Sequence, residues 1–130
     1  MLNDDLIGLD LDAFAGTLNA IHDKMLKAVA QVGGRIDAVF FCPHTNADKC
    51  NCRKPKPGML EEIATRYNAD LDGVPAIGDS LRDLEAADAV GAQPILVLTG
   101  KGRKTQVDPG LPADTLVFAD LAAAANHLRP

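Results

Sequence analysis

Tryptophan is absent from this chain, and one tyrosine and four phenylalanines bring the aromatic share to only 4%. Aliphatic side chains and alanine must therefore fill the core. Basic residues are also in deficit: 13 Lys and Arg face 18 Asp and Glu, a net charge of -5. That balance excludes a nucleic-acid surface, because neutralising a phosphate backbone takes a basic stripe. It leaves room for a small phosphorylated substrate, which needs only a few local cations. No apolar run is long enough to cross a bilayer, and the N-terminus Met1-Leu2-Asn3-Asp4-Asp5 is acidic, the reverse of a signal or transit peptide, so no membrane partner is expected. There are only three cysteines, crowded between positions 42 and 52, and no disulfide need be invoked. Reduced thiols suit a cytoplasmic protein. With 130 residues, 47% of them hydrophobic and 24% charged, the composition is that of one soluble domain with one core. There is no internal repeat.

Helical and strand-like segments alternate. Phe14, Leu18, Ile21, Met25, Ala28 or Val29, and Val32 recur at three- and four-residue steps, which predicts an amphipathic helix over residues 13–32, stopped by Gly33-Gly34. Residues 36–41 read as a strand. Pro57 starts a second helix carrying Met59, Leu60, Ile63, Ala64 and Tyr67 on one face. A short strand, Val74 to Ile77, leads into Gly78-Asp79-Ser80. A helix with Leu84, Ala87 and Val90-Gly91 follows, then strands at 94–98 and 116–118 and an Ala-rich helix over 121–128. Gly100 to Asp114, rich in Gly, Pro and charge, reads as an exposed loop. Short apolar strands alternating with helices predict an α/β fold, a Rossmann-like parallel sheet with helices on both faces. Ligands bind such sheets at the C-terminal ends of the strands.

Two polar groups sit just past strand ends. The first, Cys42-x-His44-x5-Cys50-x-Cys52, is a Cys3His set of the kind that closes a tetrahedral structural Zn²⁺ site. Three inert small hydrophobes is the competing reading, and it leaves the tight spacing unexplained. Arg53 and Lys54 follow directly, projecting from backbone that a closed metal site would fix. Lys offers a compact charge to a phosphoryl group, and Arg a bidentate fork.

The second group is Gly78-Asp79-Ser80-Leu81-Arg82-Asp83. A carboxylate directly after a buried strand, beside a glycine that allows close backbone approach, can hold Mg²⁺ against a substrate phosphate. Asp83 would then orient a lysine or a water. Alternatively, Asp79 or Ser80 caps the following helix, with Asp83 favourable in its first turn. Lys54 nearby favours the metal and phosphate role.

Together, Cys42-Pro43-His44, Cys50-x-Cys52-Arg53-Lys54-Pro55-x-Pro57-Gly58-Met59, Ile77-Gly78-Asp79-Ser80 and Leu98-Thr99-Gly100-Lys101-Gly102 resemble the D-glycero-D-manno-heptose 1,7-bisphosphate phosphatases of the haloacid dehalogenase superfamily. Histidinol-phosphate phosphatases carry a similar zinc loop, and Pro57-Gly58-Met59 favours the heptose enzymes. The resemblance implies a single phosphatase domain over residues 1–130 with its zinc loop at 42–54. It also implies a Mg²⁺-dependent phosphomonoesterase of lipopolysaccharide-core heptose synthesis, monomeric, acting on a phosphorylated sugar through an aspartyl-phosphate. In that scheme Lys54 stabilises the nucleophile and phosphoryl charge, Asp79 binds Mg²⁺, Arg53 and Ser80 contact substrate, and Cys42, His44, Cys50 and Cys52 hold Zn²⁺.

The N-terminus departs from the pattern. The family opens with a buried strand ending in Asp-x-Asp-Gly, its first Asp the nucleophile, and a later strand ending in a phosphate-holding Ser or Thr. Neither is in its expected place, which predicts an N-terminally truncated domain with unpaired sheet edges at the strands ending in Cys42 and Gly78. Leu6 to Asp12 offers Asp10 and Asp12 in Asp-x-Asp spacing as nucleophile and acid/base. The competing reading makes them the entry to the first helix, with Asp12 as its cap, and the lack of a following Gly-Thr turn favours it. A non-catalytic, zinc-stabilised fragment is therefore the alternative to a phosphatase.

Overall fold

The computed structural model describes residues 11–42, 50 and 52–129, the side chains of 11–17 excepted. The chain divides into two compact units, Met1–Asp48 and Lys49–Pro130.

In the first unit, α1 runs Leu11–Gln31. It begins one residue before Asp12, which is therefore a helical residue and not the cap; Asp10 lies outside the described residues. At the other end Gly33, at φ 80°, adopts the left-handed conformation that closes a helix, and Gly33 and Gly34 donate to Ala30 O and Val29 O, each at 3.0 Å. The predicted apolar stripe is only partly covered: Leu18 and Val29 are half-buried, while Ile21 and Val32 are 58% and 84% exposed. The segment after the turn returns along α1, with Phe41 tilted against His22 at a ring-centroid distance of 6.2 Å. Among the described residues, 36–41, expected as a strand, are not assigned to a ladder.

The second unit is the α/β body. After α2 (Gly58–Arg66) come β1 (Pro75–Gly78), α3 (Leu81–Ala89), β2 (Gln93–Val97), α4 (Gly102–Gln106), β3 (Leu116–Phe118) and α5 (Leu121–Leu128). The strands form an open parallel sheet in the order β1-β2-β3, with Gly78 opposite Leu96 and Val97 opposite Phe118. β2 is central and buried on both faces, so its run Pro94-Ile95-Leu96-Val97 shows no polar alternation. Ile95 and Val97 pack against Ala124 of α5 and Phe118, whereas α3 lies on β1 and β2 through a side holding Leu84, Ala86 and Ala87. Among the described residues, alanines 86, 87, 92 and 124 make up half of the buried hydrophobic core, with Leu84, Ile95, Leu96 and Val97. That is the packing a chain without tryptophan must use. Among the described residues β1 pairs with β2 alone, and Ile77 is 39% exposed.

The stretch 100–114 is not the plain exposed loop that its composition predicts. It contains α4, whose Gly102 and Thr105 are buried. No helix among the described residues is long and apolar enough to cross a membrane.

Candidate functional site at the C-terminal edge of the sheet

Parallel pairing of β1 with β2 brings the segments leaving their C-terminal ends together. Gly78 ends β1, and Asp79 and Ser80 carry the chain into α3; Val97 ends β2, and Leu98 to Lys101 carry it into α4. Asp79 sits where these segments meet. Its Oδ2 accepts the Lys101 amide at 3.0 Å, and its backbone carbonyl accepts the Thr105 hydroxyl at 2.9 Å. Gly100 makes this approach possible: at φ 58° a side chain is strained, and a β-carbon there would overlap Asp79 Oδ2. The other oxygen of Asp79 makes no hydrogen bond among the described residues.

Ser80 is the N-cap of α3, which agrees with the capping reading. Its hydroxyl accepts the Asp83 amide at 3.4 Å, and Asp83 Oδ2 accepts the amides of Ser80 at 3.2 Å and Asp79 at 3.3 Å, forming a capping box. Asp83 does more than cap, because its Oδ1 accepts the Lys54 ammonium. Burial alone would push this carboxyl up. The hydrogen bond and charge of Lys54, with the hydrogen bonds from Ser80, outweigh burial and hold it below the ordinary value. Gly78 stands against this carboxylate, since a β-carbon there would sit 2.6 Å from Asp83 Oδ2.

Lys54 reaches Asp83 from the loop before α2. In that loop Lys56 donates to Arg53 O at 3.1 Å, and the Lys54–Pro55 peptide is cis. Arg53 is half-buried beside it. Just before them, the sulfurs of Cys50 and Cys52 lie 3.4 Å apart, and none of the three cysteines is in a disulfide. Two thiolates on one tetrahedral zinc, each at about 2.3 Å, stand about 3.8 Å apart, so this pair is a few tenths of an ångström from a zinc-binding spacing. Cys42 is half-buried in the first unit, and His44 lies outside the described residues.

Of the residues singled out in the sequence, the structure thus joins Lys54, Asp79, Ser80 and Asp83 in one network within the second unit. Pattern reading missed Lys101 and Thr105, which hold Asp79, although Gly100-Lys101-Gly102 directly after an apolar strand marks a close backbone approach.

The arrangement is a carboxylate held by one oxygen, a lysine held by a neighbouring carboxylate, and the amide-rich N-terminus of a helix, all at the C-terminal edge of a parallel sheet. Hard divalent cations favour carboxylate oxygen, and Mg²⁺ is commonly bound by one or two carboxylates, water and phosphate oxygens. Asp79, half-buried and with an oxygen to spare, fits that role.

The sequence profile of the HAD-hydrolase-like proteins matches residues 51–124. The chain belongs to the HAD-hydrolase-like family. It is 62% identical over 112 residues to the D-glycero-beta-D-manno-heptose-1,7-bisphosphate 7-phosphatase of Bordetella bronchiseptica, a match covering 86% of this chain and 63% of that protein. Two of the solved structures similar to it are heptose bisphosphate phosphatases. One is the D,D-heptose 1,7-bisphosphate phosphatase of B. bronchiseptica in complex with magnesium and phosphate, with a TM-score of 0.84, 61% identity, and coverage of 87% of this chain and 63% of that one. The other is the corresponding phosphatase of Burkholderia thailandensis, with a TM-score of 0.70, 46% identity, and coverage of 96% and 70%. The chain therefore spans somewhat under two thirds of the length of the Bordetella relative. Membership in the HAD-hydrolase-like family accords with the α/β fold and the parallel sheet expected from the sequence.

Proposed function

We propose that this chain carries the metal and lysine half of a Mg²⁺-dependent phosphatase that removes a phosphate from D-glycero-β-D-manno-heptose 1,7-bisphosphate. The network Lys54–Asp83–Asp79 at the C-terminal ends of β1 and β2 is the observation that carries this reading. Bound Mg²⁺ would neutralise phosphate charge and polarise the phosphoryl group. Asp79 is the residue that would hold it. Lys54, restrained by Asp83, sets a second positive charge beside the phosphoryl oxygens, where charge is spread in the transition state. Ser80 and Arg53 are the substrate contacts, one at the N-terminus of α3 and one beside Lys54. Asp10, with Asp12 as its partner, is the candidate nucleophile; Asp10 lies outside the described residues, and Asp12 is helical.

A structural Zn²⁺ on Cys42, His44, Cys50 and Cys52 would fix the loop from which Arg53 and Lys54 project. The close sulfurs of Cys50 and Cys52 support it. A sugar bisphosphate as substrate, a monomer, action as one domain with its zinc loop at 42–54, and a cytoplasmic setting complete the proposal.

The test is Mg²⁺-dependent phosphate release from heptose 1,7-bisphosphate by this chain and by its Asp10→Asn and Asp79→Asn variants. Activity lost in both variants would make Asp10 the nucleophile and Asp79 the metal-binding carboxylate. Activity that survives Asp79→Asn would overturn the assignment of Asp79. No activity in any form, with zinc bound, would favour the non-catalytic zinc-stabilised reading.

A further inference from the structure

Thr105 has no part in the phosphatase reading, yet it is 7% exposed and is the only buried polar or charged side chain among the described residues. A threonine inside a helix can satisfy its hydroxyl locally, on the carbonyl four residues back. For Thr105 that carbonyl belongs to Lys101, at 3.1 Å. The shorter contact, at 2.9 Å, is to the backbone carbonyl of Asp79, 26 positions away in the chain. The hydroxyl has one proton to offer the two acceptors, and through Asp79 it joins the first turn of α4 to the end of β1.

Lys101, at the start of the same turn, donates its amide to Asp79 Oδ2 at 3.0 Å. The turn from Lys101 to Thr105 therefore grips one residue twice. The hold on the carbonyl fixes the peptide plane that follows Asp79, and with it the direction in which the side chain leaves the backbone. The hold on the carboxylate fixes the rotation of that side chain. Hydrogen bonds that orient a metal-binding group in this way are worth about 10- to 100-fold in metal affinity or activity.

We propose that Thr105 is a positioning residue for the divalent cation at Asp79, acting through the Asp79 carbonyl without touching metal or substrate. The proposal deepens the reading above and rests on Asp79 holding the cation.

The test is Mn²⁺ titration of the full chain, followed by the electron paramagnetic resonance signal of free Mn²⁺, with circular dichroism as the measure of folding. The proteins are the wild type, Thr105→Val, Thr105→Ser and Asp79→Asn. Valine keeps the shape and removes the proton, so Mn²⁺ should bind about tenfold more weakly or worse, with the fold intact. Serine keeps the hydroxyl and should bind near the wild-type level. A folded Thr105→Val that binds Mn²⁺ like the wild type would overturn the proposal. If valine prevents folding, Thr105→Ala takes its place. Failure of both to fold would also overturn it, because the hydroxyl would then serve the core and not the site. Wild-type protein that binds no Mn²⁺, or Asp79→Asn that binds as well as wild type, would strike down the Asp79 reading itself, a failure visible without any Thr105 variant.

Discussion

Lys54 and Asp83 form an ion pair that ties the loop before α2 to the first turn of α3. The same carboxylate closes the capping box of α3, so one side chain fixes both a cation and a helix start. Two substitutions separate these duties. Asp83→Asn keeps an oxygen for the amides of Asp79 and Ser80 and loses the charge that holds Lys54. Because the Lys54 side chain is 45% exposed, solvent screens the pair, and the stability cost should be only about 0.5–1 kcal/mol. Asp83→Ala removes the cap acceptor as well and should cost about 1–2 kcal/mol more. Urea unfolding measures both. Phosphate release should fall in both variants, since each frees Lys54, and equal activity in wild type and Asp83→Asn would separate the pair from the chemistry.

The pair also sets a dependence on pH. Asp83 titrates below its ordinary value in the folded chain, so the unfolded state binds the proton more readily. Its contribution is fully present above the unfolded value of about 3.9 and is lost as pH falls through the lower folded value. The stability gap between wild type and Asp83→Asn should therefore be constant near neutrality and close as the solution is acidified below about pH 4. Unfolding curves for the two proteins at a series of pH values measure it, and a gap that widens with acid would reverse the sign argued here.

Gly100 and Gly73 provide a matched comparison. Both have positive φ, at 58° and 74°, so alanine is strained at either by about 1–2 kcal/mol. At Gly73 an added β-carbon meets nothing within 4 Å, whereas at Gly100 it runs into the Asp79 carboxylate. Gly73→Ala should lower the melting temperature and leave divalent-cation binding alone. Gly100→Ala should lower both, because the strain comes with displacement of Asp79. Thermal melts with and without Mg²⁺ distinguish the two, and equal Mg²⁺ stabilisation in both variants would mean that Asp79 is not confined by Gly100.

Most of the second unit could be read from the sequence because its elements are locally encoded. The apolar runs ending at Ile77 and Leu98 and the Ala-rich segment after Asp120 fall where β1, β2 and α5 form, and Pro57 stands directly before α2. Asp83 could be foreseen both as a first-turn carboxylate and as a partner for a lysine, and it is both. The turn at 102–106 could not. Its Gly, Lys, Arg and Thr have no apolar period, and it is helical because Gly102 fits under the Val97 carbonyl and Thr105 finds a partner on Asp79. Residues 36–41 have a strand-like pattern, but which neighbour such a segment pairs with is not something sequence periodicity names.

Zinc gives the remaining prediction. Cys50 and Cys52 already bring their sulfurs to 3.4 Å, so an ion on that pair needs only small side-chain rotations; the proposed site adds Cys42 and His44 as its other ligands. Protein purified without chelator should carry about one Zn per chain, as a four-ligand site requires. Cys50→Ser together with Cys52→Ser should abolish it, and His44→Ala should weaken it, since three thiolates still bind zinc but leave the fourth position to water. Because thiolates and imidazole must be deprotonated to bind, acid should release the metal. The Lys54 loop is the part of the chain that should loosen when zinc leaves. Hydrogen exchange at residues 53–56 should therefore speed up in the double serine variant, while exchange in β2 stays slow. Metal analysis and exchange on the same samples decide the point, and full zinc content in the double variant would remove the site.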